Sequence, residues 1–195
     1  MKLGFQGYNI KTSSVIVLVA AIVLLCSFSK VWGQSPFRLE NAKPYNKEMV
    51  SPFLRNLHDT NDYVVSFRVK LTGKDEQSSY FILTKKSANL TAYRYSTGEK
   101  LQKLDISLND LDLIWKTFIQ NDLLIIKDEK DVANFCAAKY AIFGSFSYEF
   151  EILSKDKMKK LSYYDPEYYD VACYGADERR KIINSVAAIN YVTKK

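Results

Sequence analysis

The sequence predicts an α+β domain in which an antiparallel sheet of about five strands carries two amphipathic helices packed on it. Three observations lead there. Segments with strict apolar–polar alternation follow one another through short polar turns, which argues for antiparallel pairing. Two later segments switch to the helical period, each with one apolar stripe. At 195 residues and 47% hydrophobic content, the chain has length and apolar material for about one domain with its own core.

Taken in order, residues 34–62 read as an N-terminal arm holding three of the four prolines, Pro36, Pro44 and Pro52. Within it, EMVSPFLRNL is a short amphipathic piece that docks by Met49, Phe53, Leu54 and Leu57, and the rest reads as extended. The main domain, residues 63–195, opens with YVVSFRVKL. Tyr63, Val65, Phe67, Val69 and Leu71 face one way and Ser66, Arg68 and Lys70 the other, a half-buried strand. SYFILTK and NLTAYRYS follow, joined as a hairpin by the polar KKSA, and KLDIS, Lys103 to Ser107, adds a short strand. Leu111, Ile114, Trp115, Phe118 and Ile119 then recur at helical spacing, with Ser107 or Asn109 as cap and Asp110 near the positive end. The following LLII fits either a buried edge or a helical continuation, since periodicity does not separate the two. Residues 127–144 form a long connection that holds Cys136.

SFSYEFEIL is the next alternating strand, with Phe146, Tyr148, Phe150 and Ile152 on one side. KDKMKK, Lys155 to Lys160, is the densest basic stretch and reads as a solvated hairpin tip. KLSYY returns with Leu161 and Tyr163 inward, and Asp165-Pro166 stops it, because proline cannot donate to a ladder. Asp177 caps the second helix, whose stripe reads Ile182, Ile183, Val186, Ala187 and Asn190.

The amino end carries a different signal. Lys2 and Lys11 precede an apolar run, Val15 to Phe28, and Val31 and Gly33 occupy the −3 and −1 positions of a cleavage site. At 14 residues the run is shorter than the roughly 20 a spanning helix needs, so residues 1–33 read as a signal peptide, cleaved after Gly33. No stable membrane span is then expected after cleavage, and the product is secreted or periplasmic. Removing residues 1–33, with three lysines and no acid, lowers the net charge from +6 to +3. No long Lys/Arg run remains, so nucleic acid is not an expected partner. Cys26 leaves with the leader. Cys136 and Cys173 form an even pair in an oxidising compartment and are expected to bond. Such a bridge is worth about 4 kcal/mol in the chain-entropy model. Asn89-Leu90-Thr91 is a glycosylation sequon, of consequence only on a eukaryotic secretory route.

The run LNDLDLIWKTFIQNDLLIIK, the long loop and hairpin, and YYDPEYYDVACYGADERRKIINSVAAIN together resemble small exported domains of unknown function from two-membrane bacteria. The resemblance covers roughly Tyr63 to Val192. It implies a tyrosine–proline–cysteine corner leading into a last helix, and an envelope location. It implies no activity and no catalytic residues.

The chemistry is narrow. The one histidine, His58, lies before the first strand and reads as structural; no G-x-S-x-G elbow is present. One histidine and two remaining cysteines do not make a zinc pattern, and Asp165, Glu167 and Asp170 lack the order of a calcium loop and read as solvated loop acids. With no Walker or G-x-G-x-x-G loop, neither nucleotide nor other cofactor is expected. Glu149 and Glu151 share a polar strand face without a visible reason for a shifted pKa. No catalytic and no metal-binding residue is assigned. The remaining candidate is LSYYDPEYYDVACYG. Tyr164, Tyr168, Tyr169 and Tyr174 are its candidate binding residues, since tyrosine offers contact area and a hydroxyl at low entropy cost. The expected role is a non-enzymatic binding domain for another envelope protein. Alternatives are a glycan- or peptidoglycan-fragment-binding module on the Tyr163–Tyr174 loop, and a thiol-dependent enzyme using Cys173 or Cys136.

Overall fold

The computed structural model of the chain describes residues 37–71, 78–132, 145–173 and 177–194. The expected leader, Cys136 and Tyr174 lie outside these residues. Among them the chain forms β1 (Lys43–Pro44), α1 (Pro52–Thr60), β2 (Tyr63–Leu71), β3 (Ser79–Lys86), β4 (Asn89–Ser96) and β5 (Gln102–Lys103). Then come α2 (Leu108–Gln120), β6 (Phe146–Ser154), β7 (Lys157–Tyr164), α3 (Pro166–Ala172) and α4 (Asp177–Thr193). The α+β class holds. The count of about five strands and two helices becomes seven strands in one antiparallel sheet, order β1-β7-β6-β2-β3-β4-β5, with four helices. β1 is two residues long, too short to carry a period, and the short strand expected over Lys103 to Ser107 is found instead as β5 at Gln102–Lys103, with residues 104–107 outside it. Both extra helices begin with proline, α1 at Pro52 and α3 at Pro166. A first-turn proline needs no N–H and brings a helical φ with it, so the same residue that ends a strand can start a helix.

The sheet is built around the pairing of β2 with β6, in register from Tyr63↔Ser154 to Leu71↔Phe146. The β3–β4 hairpin turns through Ser87 and Ala88, with Ser87 at φ +53°, the left-handed geometry that two-residue hairpins demand. One face of the sheet presents Val65, Phe67, Leu83, Phe150, Ile152, Leu161 and Tyr163 to α2 and α4. Helix α2 buries Leu111, Ile114, Trp115 and Phe118, as its spacing predicts, and Ser107 Oγ caps it by accepting from Asp110 N. In α4 the stripe is rotated from the expected one. Ile182 and Val186 are buried, but their companions are Arg179, Ser185, Ile189 and Val192, while Ala187 and Asn190 are exposed. A buried arginine and serine disguise the apolar side of this helix. Asp177 is itself helical, an acid of the first turn, rather than a flanking cap.

The second face divides in two. Over one half lies α1, where Val50, Leu54 and Leu57 meet Val64, Ile82, Leu153 and Met158. Val50 docks in place of the expected Met49, which stays exposed. Phe53 stacks on Tyr95 at 4.1 Å. His58 is structural: its ring stacks on Tyr45 at 3.9 Å and Nε2 donates to the Ser154 carbonyl at 2.8 Å. Ser51, just before α1, donates from N and Oγ to the Glu151 carboxylate at 3.1 and 2.8 Å. The arm ahead of α1 is held too, by Glu40 N to Leu124 O at 3.0 Å and by Asn41 Nδ2 to Ile125 O at 2.6 Å. LLII is thus neither strand nor helix. It is a tight turn around Asp122, φ +54°, that buries Leu123, Leu124 and Ile126. Among the described residues no helix is long and apolar enough to cross a membrane.

KDKMKK corrects another expectation. Only Lys155 and Asp156 turn the hairpin; from Lys157 the chain is already strand, with Met158 and Lys159 buried. Lys159 is 4% exposed and its Nζ donates to Leu124 O at 3.3 Å. Burial lowers its pKa to about 8, against a smaller opposite pull from Glu40 and Asp128. Because the folded value lies below the ordinary 10.5, the unfolded chain binds more protons between the two, and stability from this group rises with pH over that window. Lys159→Met is therefore expected to stabilise the domain at pH 7, with its advantage shrinking as pH passes from about 8 to 10.5. Urea unfolding of both proteins at pH 7 and pH 10 checks this; a pH-independent difference would contradict it.

Candidate functional site

The tyrosine-rich corner begins where β7 ends. Strand alternation sends Leu161 and Tyr163 into the helix-covered core and Ser162 and Tyr164 to the opposite side. Asp165 then adopts φ +39°, ψ 55°, and its N donates to Phe146 O at 2.8 Å. A side-chain bond supports this costly conformation: Asp165 Oδ2 accepts from Ser145 Oγ at 2.8 Å. The reversal delivers Pro166 to the first position of α3.

Helix α3 has two unlike sides. Tyr169 turns inward and is 6% exposed, packed edge-on to Tyr168 at 5.1 Å and tilted against Tyr164 at 6.1 Å. The Arg179 guanidinium lies 5.6 Å from its ring centre. Tyr168 and Val171 turn outward, at 48% and 78% exposure. Of the expected binding residues, the structure therefore brings Tyr164, Tyr168 and Tyr169 together, but only Tyr168 offers its ring widely to solvent; Tyr164 is half-buried. Cys173 follows α3 and is buried. The expected Cys136–Cys173 bridge involves a residue outside those described.

Two buried hydroxyls and three acids of the corner have defined partners. Tyr148 donates to the Glu167 carboxylate and Tyr163 to Lys127 O. Burial holds both phenols well above the ordinary range, reinforced at Tyr148 by Glu167 and at Tyr163 by Glu178. The pKa of Tyr169 is also raised, by burial first. Asp165, Glu167 and Asp170, expected as solvated loop acids, bond to Ser145, Tyr148 and Arg180 respectively; Glu167 is also exposed, and Glu167 and Asp170 stand on α3 rather than in a loop.

Two carboxylates from the long connection complete the assembly. Asp128 Oδ1 accepts from Ser162 N at 2.8 Å and from Glu129 N at 3.0 Å. Glu129 Oε2 accepts from Tyr164 N at 2.8 Å, while its Oε1 accepts from Arg179 Nε at 3.0 Å. Arg179 is almost fully buried, so this pair sits largely out of water. Sequence reasoning missed Asp128, Glu129, Arg179, Tyr148 and Val171. One signal was present: an Asp directly ahead of a short turn, since the Asp128 side chain accepts from Glu129 N at the start of the 3-10 turn Glu129–Asp131.

The other chemical candidates fall elsewhere. His58 binds Ser154 at one end of β6, while Asp165 binds Phe146 at the other, a strand length of roughly 26 Å apart. His58 is therefore not placed beside the α3 corner as a base. Glu149 and Glu151 both lie on the second sheet face, each paired with a cation: Arg68 Nε at 2.7 Å from Glu149 Oε2, and Lys160 Nζ at 3.5 Å from Glu151 Oε2.

Glu129→Ala would deprive a buried guanidinium of its carboxylate and two elements of their link, and is expected to cost about 3 kcal/mol in urea unfolding. Combining it with Arg179→Met should cost less than the sum of the two single changes, by about 1 kcal/mol or more. Strict additivity would show that the pair is not coupled. No family model matches the chain, and no curated protein or solved structure is significantly similar to it.

Proposed function

We propose that this chain is an exported, non-enzymatic binding domain of the cell envelope that recognises a protein partner through the outward side of α3. The observation that carries the reading is the contrast between the helix's two sides. Its inner side is locked by Tyr169, Arg179 and the Glu167–Tyr148 bond, and its outer side presents Tyr168 and Val171. A rigid aromatic anchor loses little entropy on binding, and tyrosine is favoured where interfaces concentrate their energy. Export follows from the leader-like residues 1–33, with cleavage after Gly33. A Cys136–Cys173 bridge would tie the long connection to the end of α3 and stiffen the same surface.

A photo-crosslinking residue at position 168, tested in the source envelope, is expected to give one discrete adduct that competes with unlabelled protein. Tyr168→Ala competitor should be at least about tenfold weaker, as befits an anchor residue. The same crosslinker at position 113, an exposed site on α2, serves as the control. Identical adduct patterns from both positions, or none from 168, would sink the reading. Separately, intact mass after native alkylation should show a chain beginning at Gln34 and no modified thiol until reductant is added. Native alkylation would instead bring a thiol-dependent activity to the front.

A further inference from the structure

The half of the second sheet face that α1 leaves holds a cleft of about 280 Å³, bounded by Ser51 at the start of α1 and by Lys160, Leu161 and Ser162 of β7. Ser66, Arg68, Tyr80, Glu149, Lys160 and Ser162 line it. Sheet register sets these groups in rows: Ser66, Glu151 and Lys160 lie side by side on β2, β6 and β7, and Arg68, Glu149 and Ser162 form the next row. Internal bonds fix their orientation. Arg68 donates from Nε to Glu149 Oε2 at 2.7 Å and from Nη1 to the Tyr80 hydroxyl at 2.7 Å.

These bonds leave capacity facing the cleft. Both Arg68 contacts to Glu149 fall on Oε2, and among the described residues the cation paired with Oε1 is Lys70 at 3.7 Å, beyond hydrogen-bond range. Tyr80 accepts from Arg68, so its own proton remains for another acceptor. Lys160 has three donors and one contact, at 3.5 Å, among the described residues. Fixed acceptors and donors therefore alternate across strands about 4.8 Å apart.

We propose that this cleft binds a neutral, polyhydroxylated ligand of about one sugar ring. A hydroxyl both donates and accepts, so a ring bearing several can satisfy Glu149 Oε1, Lys160 and Tyr80 together. Charges of both signs in one small space repel an ion of either sign from some part of the wall. The volume lies at the lower limit of the roughly 300–1,000 Å³ typical of ligand pockets, which suits one ring. The pre-set ion pairs remove most of the ordering cost. The proposal rests on the reading of the chain as a binding domain, and it places the glycan contact on the sheet instead of the tyrosine loop.

The test is an amide-shift NMR titration of the full mature chain with glucose, N-acetylglucosamine and chitotetraose, with glutamate as the charged control. The expected result is saturable shifts at Ser66, Arg68, Glu149 and Ser162 with at least one sugar, at about millimolar affinity for a ligand of about a dozen heavy atoms. Glu149→Gln and Tyr80→Phe should each weaken that binding about tenfold with an unchanged folded spectrum, and Tyr168→Ala should leave it unaltered. A response to chitotetraose alone identifies a glycan chain as the source; an equal response to the free sugars identifies a small solute. Absence of saturable shifts with all three sugars, a stronger response to glutamate, or full binding by both variants would overturn the proposal. Cleavage of chitotetraose would uphold the site and overturn the non-enzymatic reading.

Discussion

The contact on which the corner depends is the Glu129 carboxylate, shared between Tyr164 N on β7 and Arg179 on α4. Each oxygen serves a different element, so the side chain works as a joint between sheet and helix. Arg179 in turn sits over the Tyr169 ring, which brings α3 into the same assembly. A buried guanidinium is unfavourable unless charge and hydrogen bonds compensate it. Here the compensation also dictates where α3 and α4 lie against β7. The position of Tyr168 on the surface follows from that arrangement.

The two sheet faces solve different problems. The α2–α4 face buries an apolar core of ordinary kind, with Tyr163 as its largest fully buried side chain among the described residues. The other face carries a short helix over one half and charged side chains over the remainder. Glu151 marks the division, since it holds the start of α1 by Ser51 and also pairs with Lys160. A nine-residue helix is marginal in isolation, so α1 depends on this anchor and on Leu54 and Leu57 beneath it.

Long elements were legible because burial there follows a single period. The stripe of α2 and the alternation of β6 from Tyr148 to Ile152 are of this kind; β2 is not, since Val64 to Phe67 are all buried, between the two faces, while Val69 and Leu71, expected inward, are exposed. What escaped had a competing signal. Lys157 to Lys160 read as basic and solvated, yet strand pairing buries Lys159. Arg179 and Ser185 hid the inner side of α4. Pro166 read as a stop, although the residue after a left-handed Asp165 was also a helix start. In the candidate site, sequence picked out the tyrosines as a group but not their orientation, which is set by the pitch of α3 and by Glu129, 35 residues before Tyr164. That link is long-range and leaves no local pattern.

The two carboxylates over β7 have a further consequence. They occupy backbone N–H groups of Ser162 and Tyr164 that would otherwise be open to another strand. The same edge is covered nearer its start by β1, through Lys43 and Pro44. An unsatisfied edge is a template for chain-to-chain pairing and fibril growth. Side-chain oxygens cannot propagate a ladder as a strand does, so this margin ends the sheet. A second copy that approaches this stretch of β7 meets N–H groups already bonded to side-chain oxygens, where a growing ladder would need them open.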